Sequence, residues 1–260
     1  MMQAERQKKI LELLEQHNYV SFNYLIDVLG ASKSTLRRDL FDLEKQNKLV
    51  RIRGGAALQN DDALTDNISL ERSFWERHSS NLAEKQRIAQ AALNFIQPDD
   101  TILIDSGSTT YELGLRLKEY SNNLMVATND LHIAIELSSN NDINLIVIGG
   151  ENRKNHFSLE GYFSERMRSE MHADTTFIGA GAIDINHGLM DFTTDAVKIK
   201  QAMINASREI IVLCDHTKFE SIAFVRITKL SEIDHIITGK EINPSTYKYL
   251  KENGIDVILV

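Results

Sequence analysis

The chain has 260 residues, enough for one large domain or two unequal ones, and its content of 42% hydrophobic and 25% charged residues is typical of a globular protein. One cysteine excludes an internal disulfide, and no stretch has the apolar run of a signal peptide or of a membrane helix. These features predict a cytoplasmic protein that does not bind membranes.

Net charge is divided unevenly along the chain. Residues 1–58 contain ten Lys or Arg against seven Asp or Glu, a net charge of +3, which leaves −11 for the rest of a chain whose total is −8. A cationic N-terminal module on an anionic body is typical of a DNA-binding module joined to a separate partner domain. Chance asymmetry is the alternative.

The first part of the chain has the pattern of a helix-turn-helix. Residues 5–17 predict one helix, and Ser21 then caps a second. The buried stripe of the second helix recurs with helical spacing at Phe22, Leu25, Ile26 and Leu29. Gly30 is suited to end this helix because glycine readily adopts positive φ, and only Ala31 separates it from the next cap, Ser32. So tight a connection predicts a helix-turn-helix.

The stretch SKSTLRRDL, residues 32–40, predicts the recognition helix. Leu36, Leu40 and Leu43 share one face and are expected in the core. The two arginines among hydroxyl residues are suited to the major groove, because arginine can donate two hydrogen bonds to guanine. A solvated basic face is the alternative.

The segment after the recognition helix predicts a wing. Residues 49–53 alternate like a strand, and Gly54 and Gly55 make a turn, so the strand is expected to pair with the Val20 region. Side chains 51 and 53 would share one face, towards phosphate or the minor groove. The candidate DNA contacts are Ser21, Ser32, Lys33, Ser34, Thr35, Arg37, Arg38, Arg51 and Arg53.

The remaining chain predicts a linker and a larger α/β domain. The boundaries expected are 1–57 for the winged helix-turn-helix, 58–72 for a polar linker and 73–260 for the second domain. Residues 71–96 predict one long helix. Beyond residue 98, apolar runs of strand length alternate with helical stretches, one of them at 159–171. Such alternation indicates a mainly parallel sheet covered on both faces.

One loop at the end of a predicted strand has the composition of an anion site. Asp105-Ser106-Gly107-Ser108-Thr109-Thr110 opens a helix, where free backbone N–H groups and hydroxyls suit a phosphate group. The loop is neither a Walker loop nor a dinucleotide fingerprint. An ordinary capped turn is the alternative.

Further polar clusters follow other predicted strands. Each has a plain alternative, because glycines make turns, Asn and Asp cap helices, and an i, i+3 pair lies on a surface. Ligands of such sheets gather at the carboxyl ends of the strands, where these clusters are expected to meet. The members counted as candidate ligand contacts are Asn129, Asp130, Gly149, Gly150, Asp195, Lys198, Asp215 and Lys218.

The N-terminal residues resemble those of the DeoR-type transcription regulators. The resemblance is carried by Arg6, Ile10, Leu14, Ser32, Thr35, Leu36, Arg37, Arg38, Asp39, Leu40 and the segment RIRGGA. Phe74-x-x-Arg77 and Lys85-x-x-Ile88-Ala89 extend it into the second domain, so it covers nearly the whole chain. Ala31 departs from the family, which usually has a branched aliphatic residue there. Asp39 lies on the leucine side and is expected to form a structural ion pair.

This resemblance implies a fold and a function. The second domain would be an effector domain related to ribose-5-phosphate isomerase and the CoA-transferases. The protein would be a repressor of a sugar or sugar-alcohol operon, a homo-oligomer (dimer or higher) that binds double-stranded operator DNA. A phosphorylated sugar would be its effector, and no cofactor is expected.

Two other functions are weighed against this one. A sugar-phosphate isomerase with an accessory DNA module would use Asp105, Asp191 or Asp215 as base, with Lys198 or Lys218 as its electrostatic partner. An architectural nucleic-acid binder is disfavoured by the acidic body. No metal site is expected, since the histidines are scattered and His216 fits a structural role as well as a ligand contact.

Overall fold

The structure, a computed structural model, describes residues 3–17, 19–46, 48–52, 55–58, 72–162, 164 and 171–260. The chain divides into two compact units, Met1–Ile68 and Ser69–Val260, called here the N-terminal and C-terminal units. Most of the predicted linker lies outside the described residues. Within the described residues no helix has the length and apolar content needed to span a membrane.

The N-terminal unit is a winged helix-turn-helix, as predicted. Its elements are α1 (Gln3–His17), β1 (Tyr19–Ser21), α2 (Phe22–Leu29), α3 (Lys33–Lys45), β2 (Leu49–Ile52) and β3 (Gly55–Leu58). The strands form an antiparallel sheet in the order β1–β3–β2, with Val20 and Arg51 both opposite Ala56. The prediction that the β2 strand pairs with the Val20 region was therefore wrong. β3 is antiparallel to both strands and lies between them.

Local sequence signals determine the turn between α2 and α3. Gly30 has a φ of +59°, in the left-handed region that glycine tolerates. The Ser32 hydroxyl accepts the backbone N–H of Thr35 at 3.3 Å and so caps α3. Leu36 and Leu40 of α3 are fully buried in the leucine-rich core of this unit. These three predictions are confirmed.

A partly buried ion pair ties α1 to α3. Arg6 Nε lies 2.5 Å from Asp39 Oδ2, and a second guanidinium nitrogen donates to Oδ1 at 3.2 Å. The side chains are 11% and 1% exposed, so this pair is largely shielded from water. The prediction that Asp39 serves a structural ion pair is confirmed.

The C-terminal unit is built on a seven-stranded parallel sheet, in the order β15–β14–β12–β9–β4–β5–β6. Its strands are β4 (Thr101–Ile104), β5 (Leu124–Thr128), β6 (Ile143–Val147), β9 (Ala173–Gly179), β12 (Ser207–Leu213), β14 (His235–Thr238) and β15 (Asp256–Leu259). The described helices are α4 (Phe74–Ser79), α5 (Leu82–Ala92), α6 (Ser108–Leu117), α7 (Leu131–Leu137), α8 (Thr194–Ala206) and α9 (Pro244–Glu252). Two apolar clusters contain buried side chains of these strands and helices. The predicted parallel α/β sheet is confirmed.

Short antiparallel strands were not predicted. They are β7 (Glu151–Asn152), β8 (Leu159–Glu160), β10 (Ala182–Asp184), β11 (Gly188–Asp191) and β13 (Val225–Thr228). β7 pairs with β8, and β10, β11 and β13 form a sheet of three strands. The predicted helix at 159–171 is wrong at its start, which is β8, and residues 163 and 165–170 lie outside the described residues.

The helix predicted over residues 71–96 is interrupted. α4 ends at Ser79, and Asn81 has a φ of +53°, which stops the helical hydrogen bonding before α5 begins. The apolar spacing continues across this break, so the sequence pattern did not reveal it. Lys85 donates to the carbonyl oxygens of Arg77 and Ser80, which the interruption frees.

The Arg6–Asp39 pair generates a stability prediction. Asp39→Ala leaves a shielded guanidinium without its carboxylate, so we expect the N-terminal unit to lose about 3 kcal/mol of unfolding free energy. Thermal unfolding of the full chain, followed by circular dichroism, measures the loss. The double variant Arg6→Met/Asp39→Leu should recover most of it, because no buried charge is then left. An unfolding midpoint unchanged by Asp39→Ala contradicts this account.

Candidate DNA-recognition helix and ligand cleft

The exposed side of α3 carries the predicted recognition residues. Lys33, Ser34, Arg37 and Arg38 are exposed, opposite the buried leucines. The guanidinium and ammonium groups are therefore available to base edges and phosphates, while the Ser34 hydroxyl lies 3.0 Å from Ser32 Oγ.

The other predicted DNA contacts either take part in the helix cap or are not fully described by the structure. The Ser32 hydroxyl caps α3 and lies 2.8 Å from Thr35 Oγ1. These two side chains therefore stabilise the start of the helix. Ser21 ends β1 and Arg51 lies in β2, but their side chains are not described. Arg53 lies outside the described residues.

A cleft lies at the carboxyl ends of the central strands of the C-terminal unit. Parallel strands bring their carboxyl ends to one edge of the sheet, where polar loops converge. The predicted residues that line the cleft are Asp105, Ser106, Gly107, Ser108, Thr109, Asn129 and Lys218. Other residues also line the cleft although they were not predicted as ligand contacts: Arg77, Arg153, His156, Ser158, Glu160, Asp191 and Lys200.

Three buried charged groups form one wall of the cleft. Lys200 Nζ contacts the Asp105 carboxylate and lies 3.3 Å from Asp191 Oδ2. The ammonium also donates to the carbonyl oxygen of Gly179 at 2.9 Å, and the Gly179 N–H donates to Asp105 at 3.1 Å. This arrangement joins β4, β9, β11 and α8 around one ammonium group.

Burial and charge compete within this triad. Burial raises the pKa of the Asp105 carboxyl to about 6, although Lys200 opposes the shift and Asp191 adds to it. Burial would lower the pKa of Lys200, but Asp105 and Asp191 outweigh it and hold that pKa above its ordinary value. The ammonium therefore stays charged and compensates two carboxylates in a shielded place.

The start of α6, which the sequence predicts as an anion site, lies at the cleft. The first backbone N–H groups of a helix have no partner within it, and their dipoles favour an anion. Ser108 and Thr109 are each 6% exposed and line the cleft, and within the described structure neither hydroxyl has a protein partner. The loop before them is fixed, because the Ser106 N–H donates to Asn129 Oδ1 at 3.1 Å and its hydroxyl to Asp130 Oδ2 at 2.6 Å.

Basic side chains supply positive charge to the same cleft. Lys218 lies on a 3₁₀ turn, His216–Lys218, and makes no ion pair within the part of the chain that is described. Burial lowers the pKa of Lys218, Asp215 opposes this, and the charge of Arg77 adds to the lowering. An Arg77 guanidinium nitrogen lies 3.3 Å from His156 Nδ1, so these groups converge as well. A bound anion would offset the cost of holding this charge away from water.

Several predicted ligand residues are not among those that line the cleft. Asp130 caps α7 by accepting two backbone N–H groups, and the Thr110 hydroxyl donates to the Gly107 carbonyl oxygen. Asp215 pairs with Lys85. A Cβ at Gly150 would overlap Ser164 and Glu160, so this glycine allows close packing. Gly149 does not line the cleft either, and its carbonyl oxygen accepts a hydrogen bond from the Ser164 hydroxyl.

The structure does not bring Asp195 and Lys198 to the cleft. Their charged groups are 3.7 Å apart on the outer side of α8, with side chains 56% and 53% exposed. Lys200, two positions further along, lies on the opposite side of the helix and enters the cleft. The burial of Lys200 was not visible in the local sequence, because lysine at a helix position ordinarily indicates a surface.

The triad generates a prediction that depends on pH. Asp105 has a higher pKa in the folded protein than in the unfolded chain. Such a carboxyl contributes most to stability at low pH, below its unfolded pKa, and this contribution is lost as pH rises through its folded pKa. Lys200→Met leaves Asp105 and Asp191 without their counter-charge. We therefore expect this variant to lose about 3–5 kcal/mol of unfolding free energy near pH 8 and less near pH 5. Urea unfolding at the two pH values measures both losses.

Lys198→Met is the matched control on the same helix, expected to change stability by less than about 0.5 kcal/mol. A loss for Lys200→Met that is equal at both pH values contradicts the electrostatic account of the triad.

Comparison with known proteins identifies the two units. Residues 6–62 match the family model of the DeoR-like helix-turn-helix domain, and residues 80–240 match that of the DeoR C terminal sensor domain. The chain is 34% identical over 257 residues to the HTH-type transcriptional regulator GolR of Listeria innocua, covering 99% of this chain and 98% of GolR.

Two further similar proteins are named as repressors. The chain is 33% identical to the putative aga operon transcriptional repressor of Escherichia coli O157:H7, covering 99% of this chain and 94% of that protein. It is 31% identical to the glycerol-3-phosphate regulon repressor of Escherichia coli K12, covering 100% of both.

Solved structures include a more distant likeness. Ribose 5-phosphate isomerase A of Methanocaldococcus jannaschii covers 54% of this chain and 55% of its own, at 18% identity and a TM-score of 0.39. The relatives are named as regulators, so the isomerase alternative is not supported. The recognition helix and the matches along the whole chain show that this protein belongs to the DeoR family of DNA-binding transcriptional regulators.

Proposed function

We propose that this regulator represses an operon for the uptake or catabolism of a sugar or sugar alcohol, and that a phosphorylated sugar in the cleft controls its DNA binding. The observation that carries the proposal is the start of α6, where the hydroxyls of Ser108 and Thr109, which have no hydrogen-bond partner among the described residues, lie in the cleft that Lys218 also lines. A phosphate group has the charge and acceptor oxygens that these donors need.

The remaining lining suits a polyhydroxyl ligand. Asn129 and the carboxylates of Glu160 and Asp191 line the same cleft, and carboxylate and amide groups are hydrogen-bond partners of sugar hydroxyls. The name of one relative agrees with this chemistry, since that protein is the glycerol-3-phosphate regulon repressor. The effector would act by binding the DNA-competent and DNA-incompetent states unequally.

We propose further that the protein acts as a homo-oligomer, dimeric or larger. Helix-turn-helix proteins commonly bind two half-sites about one helical turn of DNA apart, which a two-fold symmetric dimer matches. Sedimentation equilibrium of the full chain tests this point, and a monomer bound to its operator would contradict it.

The recognition helix generates a DNA-binding prediction. Arg37→Ala should cost about 1–3 kcal/mol at the cognate operator, because a two-bond contact to a base edge is lost, and less on random DNA. Fluorescence anisotropy with a labelled promoter fragment and a scrambled duplex measures both.

Arg37→Lys is the matched control, since it keeps the charge and loses the forked geometry. It should lose affinity for the operator and retain binding to the scrambled duplex. Equal losses for Arg37→Ala on both duplexes would assign Arg37 to phosphate contacts.

The cleft generates an effector prediction. A panel of hexose, pentose and glycerol phosphates, with the unphosphorylated compounds beside them, is screened by thermal shift of the full chain. Only phosphorylated compounds of the panel should raise the melting temperature of the C-terminal unit. Lys218→Met should weaken its binding about tenfold or more, because a charge-assisted contact is lost, without changing DNA affinity in its absence.

Lys198→Met is the control for Lys218→Met, because this exposed lysine lies outside the cleft. Stabilisation by the unphosphorylated compounds alone, or an effector titration that Lys218→Met leaves unchanged, would remove the phosphate site from the proposal.

A further inference from the structure

The lysine that follows the interrupted helix joins two parts of the C-terminal unit. Lys85 is 1% exposed and makes an ion pair with Asp215 at 3.3 Å. Its ammonium group also donates to the carbonyl oxygens of Arg77, at 2.8 Å, and Ser80. The end of α4 and the turn that begins at Asp215 are therefore held by one buried charge.

Additional contacts strengthen this connection. The Asn81 side-chain amide donates to Asp215 Oδ1 at 3.2 Å. Glu84 accepts the backbone N–H of His216 and contacts its Nδ1, each at 2.7 Å. The turn His216–Lys218, which places Lys218 at the cleft, is thus attached to the residues between α4 and α5.

The oxygens and ring nitrogen of Glu84, Asp215 and His216 lie within 4.8 Å of one another, a spacing that could suit a metal ion. The donors are already used, because Glu84 also accepts the N–H of Gly239 at 3.1 Å. The ammonium of Lys85 beside Asp215 would repel a cation. The cluster is therefore a structural connection.

Helix α4 contacts the cleft by a second route. Arg77 lines the cleft and lies 3.3 Å from His156, while His78 contacts the Glu112 carboxylate of α6 at 2.7 Å. Phe74 is fully buried among aromatic and histidine rings that include Tyr111 and Phe157. In chain order α4 is the first described helix after residues 59–71, which lead from the N-terminal unit.

We propose that Lys85 is a positioning residue that makes α4 respond to an anion bound at Lys218, so that α4 is the element through which the cleft acts on the DNA-binding unit. The inference rests on the proposed function, because it needs an anion in the cleft. An anion at Lys218 moves the turn, and Lys85 transmits this movement to the end of α4 through Asp215 and the carbonyl oxygens of Arg77 and Ser80. Without Lys85, the anion still binds, and only the Arg77 side chain in the cleft is left to connect it to α4.

The chain contains a reporter for this motion. Trp75 is its only tryptophan, lies on α4, is 50% exposed and packs edge-on against Phe74 at 5.0 Å between ring centroids. Inorganic phosphate is the probe, titrated into the full chain against sodium chloride of equal ionic strength. Calorimetry measures binding and tryptophan emission measures the response of α4.

In the wild type, phosphate should bind and shift the emission of Trp75. Lys85→Met should bind phosphate within about threefold of the wild-type dissociation constant while losing most of the emission change. Lys118→Met is the matched control, because this lysine pairs with Glu136 on an exposed surface, and it should respond like the wild type. An unchanged emission response in Lys85→Met overturns the proposal. Loss of phosphate binding as large as in Lys218→Met also overturns it, since Lys85 would then hold the ligand.

Hydrogen exchange of the wild type tests the response of α4 without a variant, so this part of the proposal stays falsifiable if Lys85→Met fails to fold. Phosphate should slow exchange of the backbone amides of residues 74–84 and 215–218 as well as those of 106–110. Slowing at 106–110 alone overturns the role of α4 and leaves the cleft proposal standing. Failure of phosphate to bind at all overturns both the cleft proposal and this inference.

Discussion

The C-terminal unit depends on the buried ammonium group of Lys200, which compensates two carboxylates from different parts of the fold. Asp105 follows β4 of the large parallel sheet, and Asp191 ends β11 of the small antiparallel sheet. Charges taken out of water are tolerated only when they are paired and hydrogen-bonded, so these three side chains hold the two sheets and α8 in one arrangement. The wall of the cleft is consequently fixed before any ligand arrives.

The ion pairs of Lys200 also decide which ammonium groups in the cleft remain for a ligand. Lys200 is committed to its own carboxylates, whereas Lys218 has no ion-pair partner among the described residues. The start of α6 adds orphan N–H groups and the hydroxyls of Ser108 and Thr109. The Lys200 ammonium is thus engaged with carboxylates of the protein, whereas the Lys218 ammonium in the same cleft has no such partner among the described residues, and the proposed anionic ligand would supply one.

Buried ion pairs serve the same purpose elsewhere in the chain. Arg6 and Asp39 join α1 to the recognition helix, and Lys85 and Asp215 join the α4–α5 junction to the turn that carries Lys218. Each pair connects segments that are distant in sequence and each is largely shielded, so loss of one partner leaves a costly charge. Exposed pairs such as Lys118–Glu136 are screened by solvent and contribute little. The shielded pairs therefore set the positions of the functional elements.

The sequence by itself determined the elements whose signals are local. The Ser32 cap, the leucine stripe of α3 and the positive φ of Gly30 depend on neighbours within one helical turn, and the alternation of strands and helices indicated a parallel sheet. The order of those strands then brought Asp105, Asn129 and Lys218 to one cleft, as the general rule for such sheets predicts.

Only the tertiary structure decided which charged side chains face inward. Lys198 and Lys200 are equally plausible in sequence, but packing of α8 against the sheet buries one and exposes the other. The break at Asn81 and the insertion of β3 between β1 and β2 arise from contacts with distant segments, which periodicity does not record. Arg77, Arg153 and His156 reach the cleft for the same reason, because their position depends on how the surrounding chain packs.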